Sequence, residues 1–293
     1  MSAATQPETV PIRRVSNGLL ARLWRDPLGR LGFVLSVLVL VLGVFAGPLA
    51  PVDPFRQDIL HRLSGPSAGH LLGTDQFGRD TLARLLYGYR SSLGVAFGAV
   101  GIALLIGGTL GILAAYVGGL LDRVVMRVMD VLLAFPVILL AIGIVAVIGP
   151  GPANSALAIG IVYIPTFARL LRAPALVLKS SEYVSAAQAL GASDGRVIFR
   201  HILPNIVAVL LVQTSLALST AILVEASLSF LGLGTRPPTP SLGLMLSEAR
   251  SYLTLQPWPA VFSGLAILVA SLGFNLLGDS LRDVLDPRLR GQD

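Results

Sequence analysis

The sequence predicts an all-α polytopic membrane protein with six membrane-spanning helices, and three observations carry that prediction. Of 293 residues, 54% are hydrophobic and 13% charged, against roughly 45–50% and about 25% in a soluble domain; the mean hydropathy is +0.78. Six apolar runs recur at approximately 31–50, 92–117, 125–148, 154–172, 206–232 and 260–278. Each reaches the ~20 residues that a hydrocarbon core ~30 Å thick requires of a helix. None alternates apolar with polar residues, so helices rather than a closed barrel must satisfy the backbone in lipid.

Residues 1–30 form a polar, basic tail. The apolar run behind it exceeds the roughly 7–15 residues of a signal-peptide core, so it reads as a retained first span. The domain organisation expected is this tail, a first span with its loop over 31–90, a transmembrane core over 91–280 and a short tail over 281–293. In the loop, GTDQFGRDTLARLLYGYR sets Asp75, Arg79, Asp80, Arg84 and Arg90 against Leu82, Leu85, Leu86 and Tyr87 at helical spacing. It predicts an amphipathic helix on the outer surface, which either shapes an entrance or braces the second span.

The second and fifth runs are the longest and must tilt or project from the bilayer. Within the second, Gly94/Gly98 and Gly107/Gly111 have the small-xxx-small spacing that lets helices approach closely. Asp130 in the third run follows Arg123 and Arg127 by two turns and one, predicting local ion pairs at that helix end. Glu225 in the fifth is the one acid well inside a predicted span. A charge there costs ~2.5–3.5 kcal/mol on insertion scales, so it should face the bundle interior, as a contact along a solute path or as an interhelical hydrogen bond. Asn275 and Asp279 close the sixth run ahead of Arg282, Asp283, Asp286, Arg288 and Arg290, which reads as a salt-bridged helix end.

Of the 22 Lys and Arg residues, 15 fall in connections on the side of the N-terminus and seven on the other. This bias predicts both termini in the cytoplasm. The loop over 51–90 opposes it with five Arg, but Asp53, Asp58, Asp75 and Asp80 nearly neutralise them. The largest interior connection is then 174–205, between the fourth and fifth spans.

The net charge of +6 raises nucleic-acid binding as a reading. The charges lie between apolar runs without basic–aromatic alternation, so no nucleic-acid partner is expected. The absence of cysteine excludes disulfides and thiolate metal sites. His61, His70 and His201 are too scattered for a metal site. No G-x-x-x-x-G-K-[S/T] loop and no Ser/His/Asp arrangement occur, so any nucleotide must bind on a partner and the chain is not expected to be an enzyme.

Residues 182–204 read EYVSAAQALGASDGRVIFRHILP. Ala186, Ala187, Ala189 and Leu190 would give a helix from Glu182 an almost bare surface, and Gly191 supplies a left-handed stop. Ser193 or Asp194 can cap a second turn whose apolar side is Val197, Ile198, Ile202 and Leu203. Pro204 opens the next element. By pattern alone this is either an interfacial loop buried against the chain's own helices or a handle offered to a partner.

The stretch resembles the EAA loop of ABC importer permeases, a pattern of Glu-Ala-Ala, three residues, Gly, nine residues and Ile-x-Leu-Pro. Ala186, Ala187, Gly191, Leu203 and Pro204 match, while Ser185 stands for the glutamate and His201 for the isoleucine. Further stretches resemble the peptide/nickel branch, which contains the dipeptide and oligopeptide "C" subunits. These are LLGTDQFGRDTLARLLYGYRSSL (71–93), AFP (134–136), GPGPANSALA (149–158), EASLSFLGLGTRPP (225–238) and FNLLGDSLRDVLDPRLR (274–290). The likeness runs from about residue 28 to residue 290.

The resemblance implies the type I ABC importer transmembrane fold in a bacterial or archaeal inner membrane. It implies a permease subunit paired with a homologous second permease and two ATP-binding subunits that hold ATP-Mg, fed by an extracytoplasmic solute-binding protein. The 182–204 loop becomes the coupling helix that docks on the ATPase, with Glu182 one turn before Ser185 as the available carboxylate. Peptides, nickel complexes, glutathione or opines are all compatible cargo. The competing readings are a secondary transporter, which predicts repeated halves and several midplane ionisable groups, and a membrane scaffold anchoring a cytoplasmic partner.

Overall fold

The computed structural model describes residues 23, 24 and 26–285. Arg13, Arg14, Arg22, Arg25, Asp286, Arg288 and Arg290, with most of both predicted tails, lie outside the described residues.

The chain is helical throughout, with no strand among the described residues. In order, α1 spans Pro27–Val44, α2 Ala46–Leu49, α3 Thr81–Val117, α4 Gly119–Leu133, α5 Val137–Ile148 and α6 Pro152–Lys179. Then follow α7 (Glu182–Ala189), α8 (Asp194–Val197), a π-helical turn (Ile198–Ile202), α9 (Leu203–Phe230), α10 (Leu242–Arg250) and α11 (Trp258–Leu285). Five helices, α1, α3, α6, α8–α9 taken together and α11, are long and apolar enough to cross a bilayer; counting the bent pair α4–α5 makes six.

The third predicted span departs from expectation. Residues 125–148 are two helices meeting at 93° across Ala134–Pro136. Proline lacks the N–H that a continuing helix needs and pushes the residue before it out of the helical region, so Pro136 ends one helix and starts another. Asp130 also differs from its reading: its carboxylate pairs with Arg169 of α6, not with Arg123 or Arg127. Asp279, Arg282 and Asp283 form no ion pair among the described residues.

Close helix contact is built from small residues, because lipid supplies no hydrophobic drive between helices. Along α1 the buried positions are Gly29, Gly32, Ser36, Val39 and Gly43, a stripe at helical spacing whose first three members lie on α11 and whose last, Gly43, lies on Tyr89–Leu93 of α3. A Cβ on Gly32 would sit 2.5 Å from the Leu277 nitrogen. The α1 N-cap is Asp26, whose carboxylate accepts from the Gly29 N–H at 2.8 Å and from the Ser280 hydroxyl of α11 at 2.7 Å. At the centre, α3 lies along α6: Gly107 and Gly111 face the carbonyls of Ile164 and Ala168. Of the two predicted glycine pairs this one makes the contact, whereas Gly94 faces open space and Gly98 meets only the Ala156 methyl at 3.5 Å.

Of the segment predicted as an amphipathic surface helix, residues 73–80 are loop and only 81–90 are helical, as the start of α3, which is continuous with the second span for 37 residues. Asp75, Arg79, Asp80 and Arg84 are buried, while Arg90 is exposed. Arg84 is 1% exposed, and its guanidinium bridges Asp75 at 2.9 Å and Glu248 of α10 at 2.9 Å. Arg79 binds the same two carboxylates at 2.6 and 3.0 Å. Two cations against two anions leave the buried cluster neutral, the condition under which burial of charge is tolerated. It fixes the 51–80 loop and α10 to one end of α3.

Candidate functional site

The opposite end of α3 carries the 182–204 stretch. Helix α7 stops at a Schellman motif: Gly191 has φ +83, its N–H donates to the Gln188 carbonyl at 2.9 Å, and the Ala192 N–H donates to the Ala187 carbonyl at 3.0 Å. Only glycine takes that backbone without strain, so the glycine stop read from the sequence is in place. Ser193 occupies the N-cap of α8 without a side-chain bond, and Asp194 opens the helix.

Each short helix sinks one valine into the protein. Val184 and Val197 are both fully buried, packed with Ile202 and Ile206 against Ile112, Tyr116, Leu171 and Ala175 of α3 and α6. The outer side remains open. Glu182, Ser185, Ala186, Gly191 and Asp194 are exposed and Ala187 is half-buried, while Leu190 is 90% and Phe199 72% exposed. The loop is therefore anchored from within and has a surface to grip.

The remaining predicted positions close the elbow. The His201 ring lies 6.2 Å from that of Tyr183, and its carbonyl accepts from the Asn205 amide at 2.6 Å. Leu203 and Pro204 begin α9 directly behind the π turn, where the proline removes one backbone N–H from the continuous helix Asp194–Phe230. Sequence reasoning missed Tyr116. Its hydroxyl donates to Asp194 Oδ1 at 2.6 Å and accepts from Gln188 Nε2 at 3.2 Å, and its carbonyl accepts from Lys179 Nζ at 2.5 Å. The available signal was a tyrosine ending an apolar run two residues before Gly118-Gly119. A phenol there places a polar tip at the edge of the bilayer.

Glu225 and Asn275 are not brought together. Glu225 is 0% exposed near the far end of α9, where Oε1 accepts from the Ser229 hydroxyl at 2.7 Å. Ser92 and Ser241 stand beside it, and their hydroxyls accept from the Leu242 and Leu244 N–H groups. The carboxylate thus sits in a polar knot where α9, α3 and the start of α10 meet, bonded through Oε1 within α9 while Oε2 has no partner among the described residues. Asn275 is half-buried on α11 between two α9–α11 contacts, Ser219 with Ser271 and Leu216 with Gly278. That puts it roughly 10 Å along the helix axis from Glu225. It makes no side-chain hydrogen bond among the described residues.

At the Glu225 end an open groove of about 460 Å³ is lined by Tyr87, Arg90, Ser91, Pro152, Ala156 and Thr239, among others. Arg90 has no carboxylate partner among the described residues, unlike Arg79 and Arg84. No cluster of three or more His, Cys, Asp or Glu capable of holding a metal occurs among the described residues.

Residues 107–291, which contain the elbow and the Glu225 knot, match the family model described as "Binding-protein-dependent transport system inner membrane component". The chain belongs to this family. The permease is 45% identical to the dipeptide transport system permease protein DppC of Alkalihalophilus pseudofirmus, over 92% of this chain and 88% of that one. It is 48% identical to the glutathione transport system permease protein GsiD of Pectobacterium atrosepticum, over 87% and 85%. Among solved structures it is similar to an inward-facing form of the MetNI methionine ABC transporter, with TM-score 0.56 and 19% identity over 69% of this chain and 97% of that one. That likeness shows the fold, the type I importer transmembrane architecture. The permease is accordingly an inner-membrane component of a binding-protein-dependent transport system.

Proposed function

We propose that this permease is the membrane-spanning subunit of an ATP-driven importer of di- or oligopeptides or a related small solute. It acts beside a homologous second permease, two subunits that bind and hydrolyse ATP-Mg, and an extracytoplasmic binding protein. The observation that carries this reading is the anchored, outward-facing elbow at 182–204, with Leu190 and Phe199 exposed on a loop whose inner valines are fully buried. An exposed leucine and phenylalanine on a rigid polar loop suit docking into a partner's groove. On this reading both termini and the elbow face the cytoplasm, the segment 174–205 is the coupling loop within a core over 91–280, and Glu182 supplies the carboxylate that Ser185 lacks. Closure of the ATPase pair then draws the elbow and turns α6 and α9, so that access alternates between the two membrane faces.

The relatives named for dipeptide and glutathione transport support a cargo bearing a free carboxylate. The Arg90 groove, at the end facing the binding protein, is suited to it. Glu225, enclosed by serines, acts as a structural tie rather than a solute contact.

The test is co-expression with the partner subunits and uptake into proteoliposomes. Leu190→Asp and Gly191→Arg should release the ATPases while the permease still inserts. ATPases that remain bound to both variants, or uptake driven by protons or sodium through the permease alone, would sink the proposal in favour of a scaffold or a secondary carrier respectively.

A further inference from the structure

We propose that Tyr116 is the positioning residue that makes α3 move as one body with the 182–204 elbow, so that ATP-driven closure drives the second span as well as the two helices flanking the loop. This rests on the reading of the elbow as an ATPase-docking surface, and goes beyond it by naming a third driven helix and the residue that recruits it.

Three elements converge on Tyr116. Its hydroxyl joins Gln188 of α7 and Asp194 of α8, while its carbonyl takes the Lys179 ammonium from the end of α6. The ammonium also lies 5.6 Å from the centre of the Tyr116 ring. A cation at the C-terminal end of a helix satisfies free carbonyls and opposes the helix dipole. Tyr116 is 8% exposed while its partners Gln188 and Asp194 are exposed, so the ring is seated in the protein and its hydroxyl meets the elbow at the water's edge. Tyr116 therefore ties both arms of the elbow to α3 by polar bonds, beside the apolar seat that Ile112 and Ala115 give Val184 and Val197.

The covalent routes out of the elbow are the compliant ones. Helix α6 contains Pro165 and Pro174, each of which removes a backbone hydrogen bond. The approach to α9 passes through the π turn at Ile198–Ile202. By contrast α3 has no proline and no break over 37 residues, a rod of ~55 Å. Immediately after it Gly118 and Gly119 both have positive φ, at +74 and +60, which uncouples it from α4. Its far end carries Arg84, bonded at 2.9 Å to Glu248 of α10. A pull on Tyr116 therefore reaches α10 along one unbroken helix.

The test uses the full complex in lipid nanodiscs. The native chain has no cysteine, so Leu105→Cys on the lipid face of α3 and Gly195→Cys, where an added Cβ meets nothing within 4 Å, can carry spin labels. The distance between them should stay single and unchanged between nucleotide-free and ATP-bound states. Tyr116→Phe, which keeps the ring and removes both hydroxyl bonds, should broaden it. The solute carried per ATP hydrolysed should fall roughly fivefold, the equivalent of one hydrogen bond, with the ATPases still bound. Asp194→Asn, which keeps an oxygen for the phenol, should retain coupling that Asp194→Ala loses.

A 105-to-195 distance that already changes with nucleotide in the otherwise unsubstituted chain would overturn the proposal. So would wild-type coupling in Tyr116→Phe. Failure of the underlying importer reading looks different, because the unlabelled, unsubstituted complex would then show no ATP-dependent uptake at all.

Discussion

The Arg84 guanidinium, in the first turn of α3, bonds Glu248 of α10 across 164 positions of sequence at 2.9 Å. With Arg79 and Asp75 it completes a four-member buried cluster whose charges cancel. Breaking such a cluster costs more than removing a balanced pair from it, because the survivor is left as an unpaired buried charge. Arg84→Met should lower stability by roughly 3–5 kcal/mol. Adding Glu248→Leu should recover part of that loss, since Arg79 and Asp75 remain as a neutral pair. Thermal unfolding of the purified permease complex tests this; strictly additive losses would show that charge balance is not what holds α10.

The α3–α6 contact makes a second prediction from glycine geometry. Gly111→Ala must displace the Ala168 carbonyl, and Gly107→Ala the Ile164 carbonyl. Each should destabilise by about 1–3 kcal/mol as overpacking does. Gly94→Ala and Gly101→Ala face open space and should be neutral or slightly stabilising, because alanine is the better helix former. Melting temperatures of the four variants decide it, and equal effects at all four positions would contradict the packing described.

A third prediction concerns acid. The Asp26 carboxyl is held below its ordinary value of 3.8, first by the Ser280 hydroxyl and then by the Gly29 and Leu28 N–H groups, against an opposing effect of burial. A carboxyl with a lowered folded-state pKa binds fewer protons folded than unfolded. Its contribution is therefore present at neutral pH and is lost as pH falls below 3.8 through the folded-state value. Asp26→Asn should flatten that part of the acid-stability curve, and Asp26→Ala should cost about 1 kcal/mol at neutral pH as a lost N-cap. Unfolding curves taken from about pH 6 down to about pH 3 show whether the difference between wild type and Asp26→Asn closes in the acid.

The parts legible in sequence are those governed by local composition. Apolar run length located the spans, and the elbow was readable down to its glycine stop, because a left-handed backbone at Gly191 and a proline at the head of α9 are properties of single residues. The bend at Pro136 was also written locally, in AFP, but the apolarity of its flanks outweighed it. What could not be read were pairings set by distance in space. Arg84 looks like one cation of an amphipathic surface helix until Glu248, far along the chain, arrives to neutralise it. Asp130 had cations one and two turns away and took Arg169 instead. Tyr116 meets Asp194 only because α3 and the elbow finish at the same end of the bundle.

The π turn at Ile198–Ile202 holds one residue more than a regular helical turn of the same height. Loss of a single residue there would restore an ordinary helix and, because the wide turn already takes up the extra residue within one revolution, would leave the direction of the elbow and the depth of α9 nearly as they are. The aim of the elbow relative to α9 thus tolerates a change of one residue at this turn, whereas anywhere in the regular helix beyond it the same change would rotate one part on the other by about 100°.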